Sequence, residues 1–382
     1  MMADSLGKLK TFFTNDQKDR KSNKSASKKN YIRPEGDRDD KQRRPGSSTS
    51  THHDDVHHEA CDRLQHYKIL EHFVEETTKK GIEGLIKEYR KMDGIHDNTE
   101  TCDAFKANML KNRYSDVVCL DRTRVKLKLA ANQLGDYIHA NYIVTDSKLL
   151  ENKFICTQGP LFSTIDDFWR MIFQERIATI LMLCKPVEDG RPKCNVYWPE
   201  NTEDSKEVDS VLKVTNLSEA SDETGKSIQL KVELHPDYVV SETDGLSSKD
   251  PLIVNLRQWT NWPDRGVPLE ECHTVPCKLL GMVRAAPCVV HCRRVAGIGR
   301  TGSIMALEFA LRRLHKGKEI NFEEITKDLR KSRAQCVQTE VQYLYIHRVM
   351  VAHAMVESSQ LSDKAKKAGE KFLLEYDNKM KK

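Results

Sequence analysis

Residues 286–302 are Ala-Pro-Cys-Val-Val-His-Cys-Arg-Arg-Val-Ala-Gly-Ile-Gly-Arg-Thr-Gly. The first part is a short apolar run that ends at Cys292, which is typical of a buried strand. The glycine-rich part, Gly297 to Gly302, is followed by apolar residues at helical spacing between Ile304 and Leu314. The segment therefore predicts a strand, a loop and a helix in direct succession.

The loop has the composition of an anion-binding site. Its glycines let successive backbone N–H groups turn inward, and the free N–H groups and dipole at a helix start attract anions. The same field would lower the pKa of a cysteine at the loop's edge and so provide a nucleophilic thiolate. A guanidinium such as that of Arg300 grips two phosphate oxygens at once. Together these groups indicate phosphoryl transfer, whereas a buried cysteine beside an ordinary helix start is the alternative interpretation.

Two stretches of this segment, Val290 to Cys292 and Ala296 to Gly302, resemble the signature of protein-tyrosine phosphatases of the non-receptor type. The resemblance implies that the Cys292 thiolate attacks phosphorus and that Thr301 stabilises the thiolate when it leaves. Arg300 and the loop's N–H groups would hold the equatorial phosphate oxygens. The loop residues implied to bind phosphate are Ala296, Gly297, Ile298 and Gly299.

Other segments resemble further blocks of the same family, in the family's order. Lys-Asn-Arg-Tyr at 111–114 resembles the phosphotyrosine-recognition loop. In that loop Tyr114 would stack on the substrate ring and Asp116 would hold a peptide N–H. Thr-Gln-Gly-Pro at 157–160 is similar to a block that we interpret as structural.

The remaining family blocks imply five further site residues. Glu188 matches the glutamate that orients the signature arginine, and Lys193 matches a lysine that approaches the active site. Asp264, which follows Trp and Pro, matches the general acid, and Gln338 and Gln342 match the glutamines that place the hydrolytic water. The implied reaction passes through a phosphocysteine and requires no metal or organic cofactor.

The signature loop departs from the family pattern in length. Seven residues separate Cys292 from Arg300, two more than in the family, and Arg293-Arg294-Val295 stands where the family usually has one serine. Two extra residues add roughly 7 Å of chain if extended, so the loop must bulge. Three explanations remain open: an active phosphatase with a tolerated bulge, a pseudophosphatase that binds phosphotyrosine proteins as an adaptor, and a misplaced exon boundary.

The fold class is predicted as α/β (α+β), with a highly twisted mixed β-sheet flanked by helices, as in protein-tyrosine phosphatases. One or two helices are expected between Tyr67 and Met92, β-rich runs from Asp116 to about Thr260, and two helices around a break at Arg333 to Gln338. Residues 1–60 are predicted as a disordered polar tail, 61–357 as the phosphatase domain and 358–382 as a basic tail.

Composition limits the partners and the compartment. The net charge of +5 over 382 residues does not predict binding to nucleic acid, and the longest apolar run, Ala178 to Cys184, is too short to insert into a membrane. Scattered cysteines in apolar segments favour a reducing location, cytoplasmic or nuclear. The predicted partners are phosphotyrosine-containing proteins, and the sequence gives no indication of oligomeric state.

Overall fold

A central sheet of nine strands organises the computed structural model of the chain. The structure describes residues 51–93, 100–145, 149–184, 187–188, 191–192, 196–263, 266–268, 274–283, 286–292, 297–356 and 358–381. The strands are β1 Arg124–Lys126, β2 Tyr137–Tyr142, β3 Phe154–Gln158, β4 Thr179–Met182, β5 Val187–Glu188, β6 Arg191–Pro192, β7 Ser205–Val208, β8 Leu212–Asp222, β9 Gly225–Leu234, β10 Leu252–Gln258 and β11 Cys288–Cys292. Their order in the sheet is β1-β2-β3-β11-β4-β10-β9-β8-β7, and β5 pairs with β6 in a separate hairpin.

The sheet is mixed, which confirms the predicted fold class. Its centre is parallel, because β11 pairs in parallel with β3 and with β4, and β4 pairs in parallel with β10. The outer strands pair in antiparallel fashion. Parallel strands buried on both faces are near-continuous apolar runs, as the Cys288-Val289-Val290 segment is. The carboxyl ends of β3, β11 and β4 therefore lie at one edge of the sheet.

The helices cover both the sheet and one another. They are α1 Thr51–Asp93, α2 Asp103–Ala107, α3 Ala131–Leu134, α4 Ile165–Gln174, α5 Val275–Val283, α6 Arg300–His315, α7 Phe322–Ser332, α8 Glu340–Val356 and α9 Asp363–Met380. The predicted opening helix is α1, which bends at Gly81, where φ is +61°. The predicted helix pair with a break is α7 and α8, so these predictions are confirmed.

Two local expectations differ from the structure. The β-rich run Val208 to Val214 is divided between β7 and β8, because Asp209 and Ser210 adopt positive φ values of 47° and 54° in a tight turn. The end of the predicted N-terminal tail is helical, since α1 begins at Thr51.

The segment predicted as a basic C-terminal tail is largely the helix α9, which packs on the domain. Ser362 caps it by accepting a hydrogen bond from the Ala365 N–H (3.3 Å). Phe372 and Tyr376 are buried, and the Asp377 carboxylate pairs with Arg348 of α8 (3.2 Å). Two of its lysines form ion pairs with α1, Lys364 with Glu75 (2.9 Å) and Lys379 with Glu83 (2.9 Å), whereas Lys366 and Lys371 pair with carboxylates of α9 itself.

Candidate active site

The strand β11 delivers Cys292 to the carboxyl edge of the sheet, where its backbone lies opposite Gln158 of β3. The side chain of Cys292 and residues 293–296 lie outside the described residues. Directly before it, the His291 ring is buried and its Nε2 lies 2.8 Å from the Tyr197 hydroxyl. Burial, with a smaller contribution from the positive charge of Arg113, lowers the pKa of His291 to about 3. A neutral imidazole therefore supports the strand end at physiological pH.

Gly297 lies against β3 where only a glycine fits, in the predicted phosphate-binding loop between Cys292 and Arg300, which we call the phosphate loop. Its φ is +68°, and a Cβ atom there would stand 2.0 Å from the Thr157 carbonyl oxygen and 3.0 Å from the Gln158 nitrogen. Thr157 is fixed in turn, because its hydroxyl donates to the His139 carbonyl oxygen (2.9 Å). The returning half of the loop thus lies directly beside the strand end that faces Cys292.

The helix α6 begins at Arg300 and opens with the bonds expected of a helix start. The N–H of Gly302 donates to the Ile298 carbonyl (3.2 Å), and that of Ser303 donates to the Gly299 carbonyl (2.9 Å). The N–H groups ahead of these are the ones that a helix leaves without an internal acceptor, and they attract anions. Thr301 is buried in this first turn, and its hydroxyl has no hydrogen-bond partner among the described residues.

Arg300 is buried between two backbone segments. Its Nη1 donates to the Leu183 carbonyl oxygen at the end of β4 (2.8 Å), and its Nη2 donates to the Pro263 carbonyl oxygen (3.0 Å). Pro263 is held by Trp262, whose ring lies 5.2 Å from the rings of Trp259 and Tyr345. Trp262 also donates its indole N–H to the Gly266 carbonyl (3.0 Å). The guanidinium thus joins the phosphate loop to the segment that precedes Asp264.

Gln158 positions the predicted recognition loop. Its Nε2 donates to the Lys111 carbonyl (2.8 Å), and its Oε1 accepts from the Arg113 N–H (3.0 Å). Further along the loop, the Val117 side chain packs on Ile298. Gln158 directly follows Thr157, whose carbonyl lies against Gly297 of the phosphate loop. Its side-chain amide bonds to the loop that carries Tyr114, so Gln158 connects the two loops. The role of Gln158 is thus structural, as expected for this block, but its particular partners in the recognition loop do not follow from the sequence.

The predicted glutamine loop, which carries Gln338 and Gln342, packs against the phosphate loop and the start of α6. The N–H of Val337 donates to the Ile298 carbonyl (3.0 Å), and a Cβ on Gly302 would stand 2.5 Å from the Val337 nitrogen. Gln338 is exposed, and its N–H donates to Oε1 of Gln342 (3.0 Å). Gln342 is itself buried, so its amide oxygen is engaged within the loop.

The predicted site residues divide into two groups. The structure brings together the residues of the phosphate loop, the recognition loop and the glutamine loop: Gly297, Ile298, Gly299, Arg300, Thr301, Tyr114, Asp116, Gln338 and Gln342. Asp264, Lys193 and Ala296 lie outside the described residues, as do the side chains of Cys292 and Glu188. In the portion described, no group of three or more His, Cys, Asp or Glu side chains is arranged to hold a metal ion.

Sequence reasoning missed three residues that build this site. Gln158 joins two loops, while Tyr197 and His291 support the strand end. The signal for His291 was its position directly before the cysteine, inside an apolar run where a polar side chain needs a partner. Nothing in the sequence alone pairs it with Tyr197, which is 94 residues away.

Comparisons with known proteins agree on one family. The family model described as protein-tyrosine phosphatase matches residues 108–352. An Aedes aegypti protein named as a receptor-type tyrosine-protein phosphatase, mosPTP-1, is 35% identical over 284 residues, which cover 70% of this chain and 20% of that protein. The receptor-type tyrosine-protein phosphatase zeta of Rattus norvegicus is 34% identical over 67% of this chain and 11% of its own length. The tyrosine-protein phosphatase 69D of Drosophila melanogaster is 33% identical over 70% of this chain and 18% of its own length.

The chain therefore spans a fifth or less of the length of these relatives. Within the ranges that the structure covers, no helix is long and apolar enough to cross a membrane.

Proposed function

The chain belongs to the protein-tyrosine phosphatase family, and from this premise we propose that it hydrolyses phosphotyrosine in proteins through a cysteinyl-phosphate intermediate. The observation that carries the proposal is the buried Arg300 at the start of α6, beside a loop that Gly297 packs against β3. A guanidinium beside the free N–H groups of a helix start favours a phosphate dianion. The parallel strand that precedes them ends on a cysteine.

In the proposed first step, the Cys292 thiolate forms an S–P bond as the P–O bond to tyrosine breaks. Asp264 gives its proton to the departing phenolate oxygen. Arg300 and the N–H groups of the loop hold the equatorial oxygens, where charge is stabilised in the transition state. Glu188 would orient Arg300, and Lys193 would lie close to the phosphate.

In the proposed second step, a water oxygen bonds to phosphorus while the S–P bond breaks. Asp264, now a carboxylate, accepts the proton of that water. Because Oε1 of Gln342 already accepts the Gln338 N–H, its Nε2 is the end that would bind the water oxygen and leave the proton facing the base. The buried Thr301 hydroxyl, without a partner among the described residues, would donate to the leaving thiolate.

A second candidate is a pseudophosphatase that binds phosphotyrosine proteins as an adaptor. The observation that favours it is the length of the loop, since seven residues lie between Cys292 and Arg300. A small displacement of a reacting group costs about a hundredfold in rate, so an outward bulge next to Cys292 would damage catalysis more than phosphate binding. Retention of Asp264 and both glutamines favours catalysis over this alternative.

The deciding experiment measures turnover of a phosphotyrosine peptide by the purified chain. Cys292→Ser is the inactive control, and a variant with one serine in place of Arg293-Arg294-Val295 restores the family's loop length. Turnover by the native chain above the control supports the phosphatase. Peptide binding without turnover, lost on Arg300→Ala, supports the adaptor. If the chain shows no turnover and no peptide binding, both proposals are contradicted. A transcript that encodes the shorter loop would support the misplaced exon boundary.

We also propose that the domain works in the cytoplasm, as a unit that includes α9. In support, the described cysteines other than Cys102 are buried, which suits a reducing compartment. Fractionation of cells that express the tagged chain tests this, and recovery of the chain only from secreted material would contradict it.

A further inference from the structure

Exposed apolar side chains collect beside the recognition loop. Leu110 is 93% exposed, Phe162 83% and Met109 43%, and we call these three residues the apolar rim. Isolated exposed apolar residues are ordinary, but a group of them on neighbouring segments marks an interaction surface. Among the residues that the structure describes, the other large apolar side chains that are more than a third exposed, Tyr114 apart, lie on other segments: Leu64, Val144, Leu217, Val239, Ile253, Met282 and Leu374.

Hydrogen bonds join the two segments that carry the rim. The Arg113 guanidinium donates through Nη2 to the carbonyl oxygens of Gly159 (2.9 Å) and Pro160 (3.1 Å). The Lys111 ammonium pairs with the Asp167 carboxylate (2.9 Å), at the helix that follows Phe162. With the two bonds of the Gln158 amide, these contacts hold residues 109–114 against residues 158–162.

The rim contributes little to the core. Leu110 lies in the short 3-10 helix Met109–Lys111, none of whose residues is buried, and Phe162 begins a second one, Phe162–Thr164. The neighbouring Phe105 and Thr164 are buried, so the same segments bury other side chains for stability. The fold therefore gives no reason for the apolar character of Leu110 and Phe162.

The rim is continuous with the proposed binding cleft. Tyr114, the residue expected to stack on the phosphotyrosine ring, lies four positions after Leu110, a span of at most about 14 Å. An extended peptide advances about 3.3 Å per residue, so a side chain within about four residues of the phosphotyrosine reaches the rim.

We propose that the apolar rim binds an apolar side chain of the substrate peptide. This inference rests on the proposed function and narrows its substrate class to phosphotyrosine peptides with a Leu, Ile, Met or Phe within about four residues of the phosphotyrosine, on one side of it. The backbone segments that carry the rim are joined before the peptide binds, so little backbone freedom is lost there on association. Leu110 and Phe162 are its specificity-determining residues.

The test compares kcat/KM for two kinds of substrate on the purified full chain. One is a set of phosphotyrosine peptides with a single Leu moved through the flanking positions of a polar sequence. The other is a small aryl phosphate, too short to reach the rim. For the best Leu position, the ratio of peptide to aryl phosphate kcat/KM is expected to fall about tenfold in the double variant Leu110→Ser, Phe162→Ser. Val239→Ser, which removes an equally exposed side chain on another loop, is expected to leave the ratio unchanged.

The outcomes separate this inference from the proposed function. Turnover without any preference for a Leu position overturns the rim and leaves the phosphatase intact. If no substrate is turned over, the same peptides are compared by Kd: a Leu preference that the double variant loses supports the rim although catalysis fails, and equal or absent binding overturns it. Sedimentation of the native and double-variant chains adds a third outcome. A dimer that the double variant abolishes, with peptide selectivity unchanged, assigns the rim to a second copy and overturns the proposal.

Discussion

The two sides of the candidate site are held by different physical means. The phosphate-loop side depends on glycines, since Gly297 and Gly302 let backbone segments approach where a Cβ would stand 2.0 Å and 2.5 Å from the nearest atom. The recognition-loop side depends on polar side chains, chiefly Gln158 and Asn112, which bond to backbone groups or to Tyr137. One added methyl group disrupts a close backbone contact completely, whereas hydrogen bonds can be removed one at a time. Substitutions on the two sides should therefore differ in size and in kind.

The largest effect is expected from Gly297→Ala. The added methyl would combine a positive φ with contact against the backbone oxygen of Thr157, which has no rotamer to move away. We expect a loss of about 4 kcal/mol in the free energy of unfolding, measured by chemical denaturation. The matched control is Gly135→Ala, where φ is +82° and no atom lies within 4 Å, so strain alone should cost about 1–3 kcal/mol. Equal losses would show that the close approach to β3 contributes nothing.

A smaller effect is expected from Gly302→Ala, which adds a methyl against the Val337 nitrogen without a positive φ. The methyl would push the glutamine loop away from the phosphate loop and lengthen the bond from Val337 to Ile298. We expect a loss of about 2–3 kcal/mol in the free energy of unfolding. Gly84→Ala in helix α1, where the nearest atom is the Lys80 Cβ at 3.3 Å, should stay within about 1 kcal/mol of the native chain. A Gly302→Ala chain as stable as the control would contradict the steric account.

On the other side, Gln158→Ala should cost about 2 kcal/mol, because it leaves the Lys111 carbonyl and the Arg113 N–H without their partner. Without these bonds the recognition loop is no longer held in position. KM for a phosphotyrosine peptide should therefore rise by a larger factor than the factor by which kcat for a small aryl phosphate falls. Gln174→Ala is the control, since Gln174 is also buried and bonds to backbone groups at Lys126 and Lys128, on a different loop. It should lose similar stability with KM unchanged. A rise in KM in both variants would mean that the loop responds to stability alone.

The smallest effect is expected from Lys111→Met, which removes the ammonium from the buried Asp167 carboxylate. Burial raises the pKa of Asp167, and Lys111 opposes that rise. The variant should lose about 1–2 kcal/mol at pH 7. The difference in the free energy of unfolding between the native chain and the variant should shrink as the pH falls through the raised pKa of Asp167, because a protonated carboxyl has no charge for the ammonium to stabilise. Denaturation at pH 7 and at an acidic pH below the raised pKa measures this.

Lys106→Met is the control for this pair, because Lys106 and its partner Asp103 are both exposed. It should have no measurable effect at either pH. A loss in Lys111→Met that does not change with pH would indicate lost packing of the lysine stem and not a lost charge interaction.

The parts of the fold predicted from sequence were those where local pattern and burial agree. The strand β11 and the helices α6, α7 and α8 have apolar spacing that the structure uses directly. The helix α9 was not predicted, because its lysines dominate the composition. Its buried residues do have a helical spacing, at Ala365, Gly369, Phe372 and Tyr376. A periodicity count there would have found the packed face.

For the candidate site, the residue types were predictable from sequence, but the contacts that position them were not. The glycines of the phosphate loop were predicted to let the backbone N–H groups turn inward. In the structure, Gly297 lets the loop backbone contact the Thr157 carbonyl. Gln158 and the Tyr197–His291 pair act across 45 and 94 residues of sequence, so only the assembled sheet brings them to their partners. Distances of this kind depend on strand order, which local patterns do not encode.

The packing of Trp262 also provides an intrinsic fluorescence probe. The indole is buried within 5.2 Å of the Trp259 and Tyr345 rings, so its emission depends on their orientation and on the absence of water. The next residue, Pro263, accepts a hydrogen bond from Arg300, the group that we propose grips phosphate. A change in tryptophan fluorescence on addition of an oxyanion would therefore indicate, without any attached dye, a rearrangement around the carbonyl that Arg300 holds.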